Sequence, residues 1–224
     1  MRLAAYNGSP KGERGNSNFL LRHFLDGVME TPGHSYELAH LSKVKEQERF
    51  VELFTGADAV ILAFPLYTDM MPGIVKAFFE SLEPLCGREG NPPIGFIIQS
   101  GFPESVHMRA LESYLEKLSR RLGCRYLGTV LRGGVEGMRT QPAFVIRGLL
   151  SSIRELGRGF GRTGELDQEL IRRIGKRERL SPLRLLFTRT IGSWMAKKAF
   201  WDRRMKENNA YERRLARPYE QPPA

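Results

Sequence analysis

Leu3-Ala-Ala-Tyr-Asn-Gly-Ser-Pro-Lys-Gly-Glu-Arg-Gly-Asn-Ser-Asn18 decides how the rest of the chain is read. Its first four residues are an apolar run that predicts a buried strand. Phe19, Leu20, Leu21, Phe24, Leu25 and Val28 then recur at helical spacing. A strand, a loop of Gly and small polar residues, and a helix start form a layout that gathers a phosphate: loop and first-turn N–H groups converge, and the helix dipole favours negative charge. Ser9, Asn16, Ser17 and Asn18 add side-chain donors, and Lys11 adds a positive charge. The same residue types also make an ordinary helix cap, so a plain strand–helix turn is the competing reading. Two other phosphate loops are excluded. Asn16 follows Gly15 where a nucleoside triphosphatase loop needs lysine, and no G-x-G-x-x-G with a ribose-binding acid follows the strand.

Working outward, Ser35–Leu41 alternates loosely as a second strand, and further strands are read at Ala59–Phe64, Ile94–Gln99 and Tyr126–Leu131. Helical patterns separate them at 46–54, from Pro72-Gly73 through Leu82, and at 104–122. Ala59-Val-Ile-Leu-Ala-Phe64 lacks polar alternation, as a strand covered on both faces requires. Five strands alternating with helices imply an α/β fold with a doubly wound, five-stranded parallel sheet. Ligands of such sheets sit outside the carboxyl ends of the strands. Three loops are expected at that rim: Asn7–Asn18, Pro65–Met71 and Ser100–Pro103.

The composition sets outer bounds. The chain has 224 residues, 41% hydrophobic and 10% aromatic, an ordinary globular balance with room for one core and an appendage. Cys86 and Cys124 have no paired spacing, and His23, His34, His40 and His107 show no ligand pairing, so neither a metal site nor a disulfide scaffold is expected. No signal-peptide pattern or membrane-length apolar run is read, which makes the cytoplasm the expected compartment. The net charge of +10 is local. Residues 1–171 hold 20 Lys and Arg against 20 Asp and Glu, whereas residues 172–224 hold 15 against 5. A neutral body carries a basic tail.

Phe64-Pro-Leu-Tyr-Thr-Asp-Met-Met-Pro-Gly73 narrows the ligand. Tyr67, Met70 and Met71 offer flat and soft apolar surface beside backbone amides. Each is also a common packing residue, but next to a phosphate loop the set describes a ligand with a phosphate at one end and a ring at the other. Asp69 reads as a turn-capping residue, and His107 as an exposed first-turn histidine.

Gly8-Ser-Pro-Lys-Gly…Gly15-Asn-Ser17 together with Pro65-Leu-Tyr-Thr-Asp-Met-Met-Pro-Gly…Lys76-Ala-Phe resembles the flavodoxin-like, NAD(P)H-dependent FMN reductase family over roughly the first 135 residues. The likeness is to its multimeric flavodoxin and iron–sulfur flavoprotein branch, although the cysteine cluster of that branch is missing, so no cluster is expected. The resemblance implies FMN as cofactor and NAD(P)H as co-substrate. Ser9, Lys11, Asn16, Ser17 and Asn18 would hold the phosphate. Pro65, Leu66, Tyr67 and Thr68 would line the ring, and Ser100, Gly101 and Phe102 its pyrimidine edge. It further implies a homodimer or tetramer, and a small-molecule electron acceptor such as a quinone, nitro-aromatic or free flavin. No general acid, base or nucleophile is assigned, because the flavin carries the chemistry. Two alternatives stand beside the reductase. One is an electron-carrier module that never meets NAD(P)H, and the other is a partner- or membrane-binding flavoprotein.

The expected division is a flavodoxin-like domain over 1–160 and a basic helical extension over 161–224. Gln141–Leu156 reads as a helix, Gly157-Arg-Gly-Phe-Gly-Arg-Thr-Gly164 as a flexible break, and a further helix is expected to start at Thr163 or Gly164. From Ser181-Pro182, Leu183, Phe187, Ile191, Trp194, Met195 and Trp201 can share a helical face ringed by Lys197, Lys198, Arg203 and Arg204. Packing on a partner subunit, peripheral contact with an anionic membrane and nucleic-acid binding are the readings of that face, the last disfavoured because no known module accompanies it. Arg217–Pro223 is expected to fray.

Overall fold

The structure, a computed structural model, describes residues 1–175 and 178–217, apart from the side chains of Thr140, Arg184, Ile191, Met195, Ala196, Ala199 and Phe200. Five strands form one parallel sheet: β1 (Arg2–Asn7), β2 (Ser35–His40), β3 (Ala59–Pro65), β4 (Ile94–Gln99) and β5 (Tyr126–Arg132). Their order is β2-β1-β3-β4-β5, so the fold is the expected flavodoxin-like α/β arrangement. The interposed helices are α1 (Asn16–Val28), α2 (Gln47–Thr55), α3 (Gly73–Ser81) and α4 (Arg109–Leu122). They are followed by α5 (Ala143–Thr163) and α6 (Gln168–Ile174).

The period-two geometry of a strand divides the core. Ala4, Tyr6, Val60, Leu62 and Phe64 face one layer with Phe50, Phe54, Phe78 and Leu115. Leu3, Ala5, Ile61 and Ala63 face the other with Phe24, Val28, Leu156 and Phe160. Tyr6 lies 4.6 Å from the Phe78 ring, and its hydroxyl donates to the Phe50 carbonyl at 2.8 Å, so this fully buried phenol is satisfied. Burial raises the Tyr6 pKa far above that of a free phenol. At the sheet's edge, Gln168 of α6 donates to the Leu127 carbonyl at 2.9 Å and occupies part of the outer edge of β5.

The segment read as a flexible break is helical. α5 runs unbroken through Gly157, Gly159 and Gly161, because these residues bring two helices together instead of interrupting one. A Cβ on Gly157 would fall 1.9 Å from the Phe24 carbonyl oxygen of α1, and one on Gly27 of α1 would fall 2.0 Å from the Arg154 carbonyl oxygen of α5. Glu30 fastens the same seam by accepting from Arg158 and from Arg154, the latter at 2.6 Å, and these guanidinium bonds hold its carboxyl down at about 2. The helix ends at Gly164 in a left-handed C-cap. α6 begins at Gln168 and not at 163–164, with the Asp167 side chain accepting from Glu169 N–H and Leu170 N–H. A tight turn over Ser105–Met108 delays α4 to Arg109.

The chain forms two compact units, Met1–Arg179 and Leu180–Ala224. The division expected after residue 160 lies inside α5. Within the second unit, helical turns run from Pro182 to Glu207, partly with the wider π-type winding, and Leu183, Phe187, Trp194 and Trp201 are all more than half exposed. Ile191 and Met195 of the expected apolar face, and the part from Pro218 onward of the end expected to fray, lie outside the described side chains and residues. Among the described residues no helix is long and apolar enough to cross a membrane, and no cluster of His, Cys, Asp and Glu could hold a metal.

Candidate functional site

Chain order reverses between β1 and β3: β1 is followed by β2 on one side, and β3 lies on its other side. That switch point opens a crevice at the carboxyl rim. The first and second expected loops flank it, with the third on the next strand. Hydrogen bonds between loops tie them into one surface. Gln99 donates to the Ser17 hydroxyl at 3.2 Å, and Leu66 N–H donates to the Gln99 carbonyl at 2.8 Å. Asn16 donates to the Val135 carbonyl at 2.9 Å, while Val135 N–H donates to the Ser100 carbonyl at 3.1 Å.

The first loop has the chemistry of an anion cradle. α1 starts without a side-chain cap and carries no acidic residue in its first turn. The first backbone N–H groups therefore face out of the helix with the positive end of its dipole behind them. Gly15 precedes this turn, and a Cβ there would fall 2.4 Å from Ser9 Oγ. Ser9 is buried, Lys11 is exposed, and the Ser9 hydroxyl accepts from Lys11 N–H at 3.3 Å. Three of the four residues expected to lend side-chain donors are partly committed inside the protein. Asn16 reaches Val135, Ser17 accepts from Gln99, and Asn18 donates to the Glu13 carbonyl at 2.9 Å. The first-turn backbone N–H groups remain for an anion, and Ser17, which accepts in its bond to Gln99, keeps its O–H to donate. Asn18 Oδ1 is buried with no partner.

The second loop is a two-residue hairpin. Tyr67 N–H donates to the Met70 carbonyl at 2.9 Å and Met70 N–H donates back at 3.1 Å. The two central residues, Thr68 (φ 49°) and Asp69 (φ 61°), are both left-handed. A turn of this kind favours Asn-Gly, and holding Thr and Asp in it costs on the order of 2 kcal/mol. Strain of this sort persists where surrounding structure imposes it, as at binding sites. The turn leaves the N–H groups of Thr68 and Asp69 outside its own hydrogen bonds. Pro65 and Leu66 are buried beneath it, whereas Tyr67 and Met70 are exposed. Met71 belongs to the core, which separates the two methionines by role.

In the third loop, Ser100 is buried and its hydroxyl donates to the Phe102 carbonyl at 3.2 Å; Gly101 and Phe102 are exposed. The Phe102 ring lies 5.0 Å from that of His107. The rim thus places a polar, N–H-rich turn beside exposed aromatic and thioether surface.

Four supporting residues escaped the sequence reading: Asn7, His40, Gln99 and Val135. Asn7 is fully buried at the end of β1, a location that in a strand otherwise apolar was the available signal. The others depend on strand register and loop folding, which no local pattern carries.

A family model described as flavodoxin-like fold matches residues 1–84. No curated protein sequence matches the chain. Among solved structures, an NAD(P)H:quinone oxidoreductase from Methanothermobacter marburgensis is similar with a TM-score of 0.59 at 16% identity, over 71% of this chain and 96% of that one. An FMN-dependent NADH-azoreductase from Bacillus anthracis in complex with FMN gives 0.57 at 14%, over 72% and 100%. An NADH:FMN oxidoreductase gives 0.54 at 19%, over 83% and 98%.

Proposed function

We propose that the protein is an FMN-dependent NAD(P)H oxidoreductase that reduces a small aromatic acceptor. The observation that carries this reading is the uncapped, acid-free start of α1 lying across the sheet's switch point from the strained turn at Thr68-Asp69. That pairing suits a ligand with a phosphate at one end and a flat ring at the other. Solved proteins of the same fold that bind FMN or reduce quinones and azo compounds support the choice of flavin.

Ser9, Lys11 and the backbone of Asn16, Ser17 and Asn18 would receive the phosphate. Pro65, Leu66, Tyr67 and Thr68 would line the ring, with Ser100, Gly101 and Phe102 at its pyrimidine edge. FMN, when bound, supplies hydride acceptance from a nicotinamide and onward transfer to the acceptor. The chain's own residues bind and orient. The outward N–H groups of Thr68 and Asp69 can stabilise negative charge on a reduced ring at a site where the backbone is already set. Acceptors of the quinone, nitro-aromatic, azo or free-flavin class fit this role, and the working assembly is a homodimer or tetramer. With flavin loaded and oxygen excluded, stoichiometric NADPH or NADH should bleach the visible flavin band. A band unchanged by both nucleotides would leave only an electron carrier.

The second unit suits peripheral contact with an anionic membrane. Residues 180–217 hold ten Lys and Arg against three Asp and Glu, and Leu183, Phe187, Trp194 and Trp201 stand exposed among them. Lys198 lies over the Trp194 ring at 5.1 Å, an amphipathic pair suited to the headgroup level. The protein's two tryptophans are these two, so their emission reports the segment directly. Vesicles rich in anionic lipid should shift that emission to shorter wavelength while neutral vesicles do not. An unchanged spectrum with both would remove the membrane from this account.

A further inference from the structure

We propose that His40 is a positioning residue for the phosphate loop, holding Asn7 through a neutral imidazole, so that protonating His40 releases the loop and weakens phosphate binding. This rests on the reading of residues 7–18 as the FMN phosphate turn, but the brace itself is independent of any ligand.

Asn7 ends β1 opposite His40, the last residue of β2. Its side chain is fully buried and makes three contacts. Oδ1 accepts from Ser9 N–H at 3.1 Å, and Nδ2 donates to the Gly12 carbonyl at 2.8 Å. A backbone N–H can only donate and a carbonyl can only accept, so these two partners fix which end of the amide is oxygen. The second Nδ2 hydrogen then points at His40 Nδ1, 3.0 Å away. Only a lone pair can meet it. His40 Nδ1 is therefore unprotonated, and the ring carries its hydrogen on Nε2.

An imidazolium has N–H at both positions, so neither orientation of the ring offers Asn7 an acceptor. Protonation must break the contact and set two donors against each other. The atoms at stake are the ones that shape the loop, because the same amide holds Ser9 and Gly12 in place. The charged groups acting on the ring come from each element around it. Glu13 of the loop has Oε1 at 3.7 Å from Nε2, too long for a hydrogen bond, and it favours the cation. Lys43 after β2 and Arg22 of α1 oppose the cation. Burial is the largest influence and holds the imidazole below its ordinary value.

Linkage sets the sign. If the bound loop excludes the His40 proton, affinity is full above the pKa of His40 in the free protein and falls as pH drops through it, by up to about tenfold per unit. A nearby phosphate acting only as a counter-charge would do the opposite, drawing a proton onto His40. The FMN phosphate has its own second ionisation near pH 6, so the comparison must be with a variant that shares it.

His40→Asn supplies a neutral side-chain oxygen, two bonds from Cβ, in place of Nδ1. FMN affinity, read from quenching of flavin fluorescence between pH 8 and 5.5, should weaken more steeply in wild type than in His40→Asn. A constant wild-type-to-variant ratio, or one that rises toward acid, would overturn the proposal. Nitrogen-15 spectra of the imidazole in the ligand-free protein at pH 7.5 supply the second measurement and need no variant. They should report a neutral ring with hydrogen on Nε2. Hydrogen on Nδ1, or a cation, would overturn the brace whatever FMN does. A correct tautomer without FMN binding at any pH would instead overturn the cofactor reading and the coupling that rests on it.

Discussion

Gly15→Val should weaken FMN binding about 100-fold while leaving riboflavin binding nearly unchanged. A Cβ at this position arrives 2.4 Å from Ser9 Oγ and 2.9 Å from Ser9 Cβ, so Ser9 must leave the cradle. The backbone at residue 15 is extended (φ −75°, ψ 150°), a conformation that valine adopts readily, so the new side chain and not the main chain causes the damage. A phosphate displaced from two charge-assisted hydrogen bonds loses about 3 kcal/mol, which is about two orders of magnitude in Kd. Riboflavin has no phosphate to lose. Parallel losses for the two ligands would mean that the substitution acts through the fold, and unchanged FMN affinity would place the phosphate elsewhere.

Gly157→Ala tests the packing that holds α1, and with it the cradle, against the rest of the first unit. Its value lies in the sign. In an exposed helical position the change stabilises by about 1 kcal/mol, because alanine is the better helix former. At Gly157 the added methyl meets the Phe24 carbonyl oxygen at 1.9 Å and its carbon at 2.8 Å, backbone atoms that cannot swing aside. Separating two packed helices by that much is expected to cost about 2 kcal/mol net, within the range for overpacked cores. Gly159, two residues on, has open space where its Cβ would be, so Gly159→Ala is the matched control and should stabilise. Urea unfolding of the three proteins decides the matter. Equal stabilisation by both substitutions would mean that the helices do not approach through Gly157.

This pair of glycines also marks the limit of what the sequence disclosed. Strand positions were legible because four apolar runs and one loosely alternating segment, Ser35–Leu41, alternate with helical patterns, and the strand order follows a small set of allowed topologies. A cluster of glycines, however, has two opposite uses: it can end a helix, or it can let a helix touch another backbone. Spacing alone does not separate them, and 157–164 reads as a break for that reason. The rim loops were legible for a different reason, since small, polar and aromatic residues gather at strand ends for ligands. Their internal division of labour was not. Asn16, Ser17 and Asn18 read as side-chain donors, yet Asn16 and Asn18 each spend an amide hydrogen on the Val135 and Glu13 carbonyls, whereas Ser17 accepts from Gln99 and keeps its donor. Asn7 and His40 lie 33 residues apart and meet only through the register of β1 on β2. Nothing local to either residue announces the pair.

The central claim is that the turn after β1 holds the phosphate of a flavin whose ring lies along the sheet's carboxyl rim. Equilibrium titration of the purified protein with FMN and, separately, with riboflavin tests it most directly. A phosphate engaged by the α1 N-terminus and Ser9 should make FMN bind at least about 100-fold more tightly than riboflavin, with one flavin per chain. Equal affinities, or no binding of either, would contradict it.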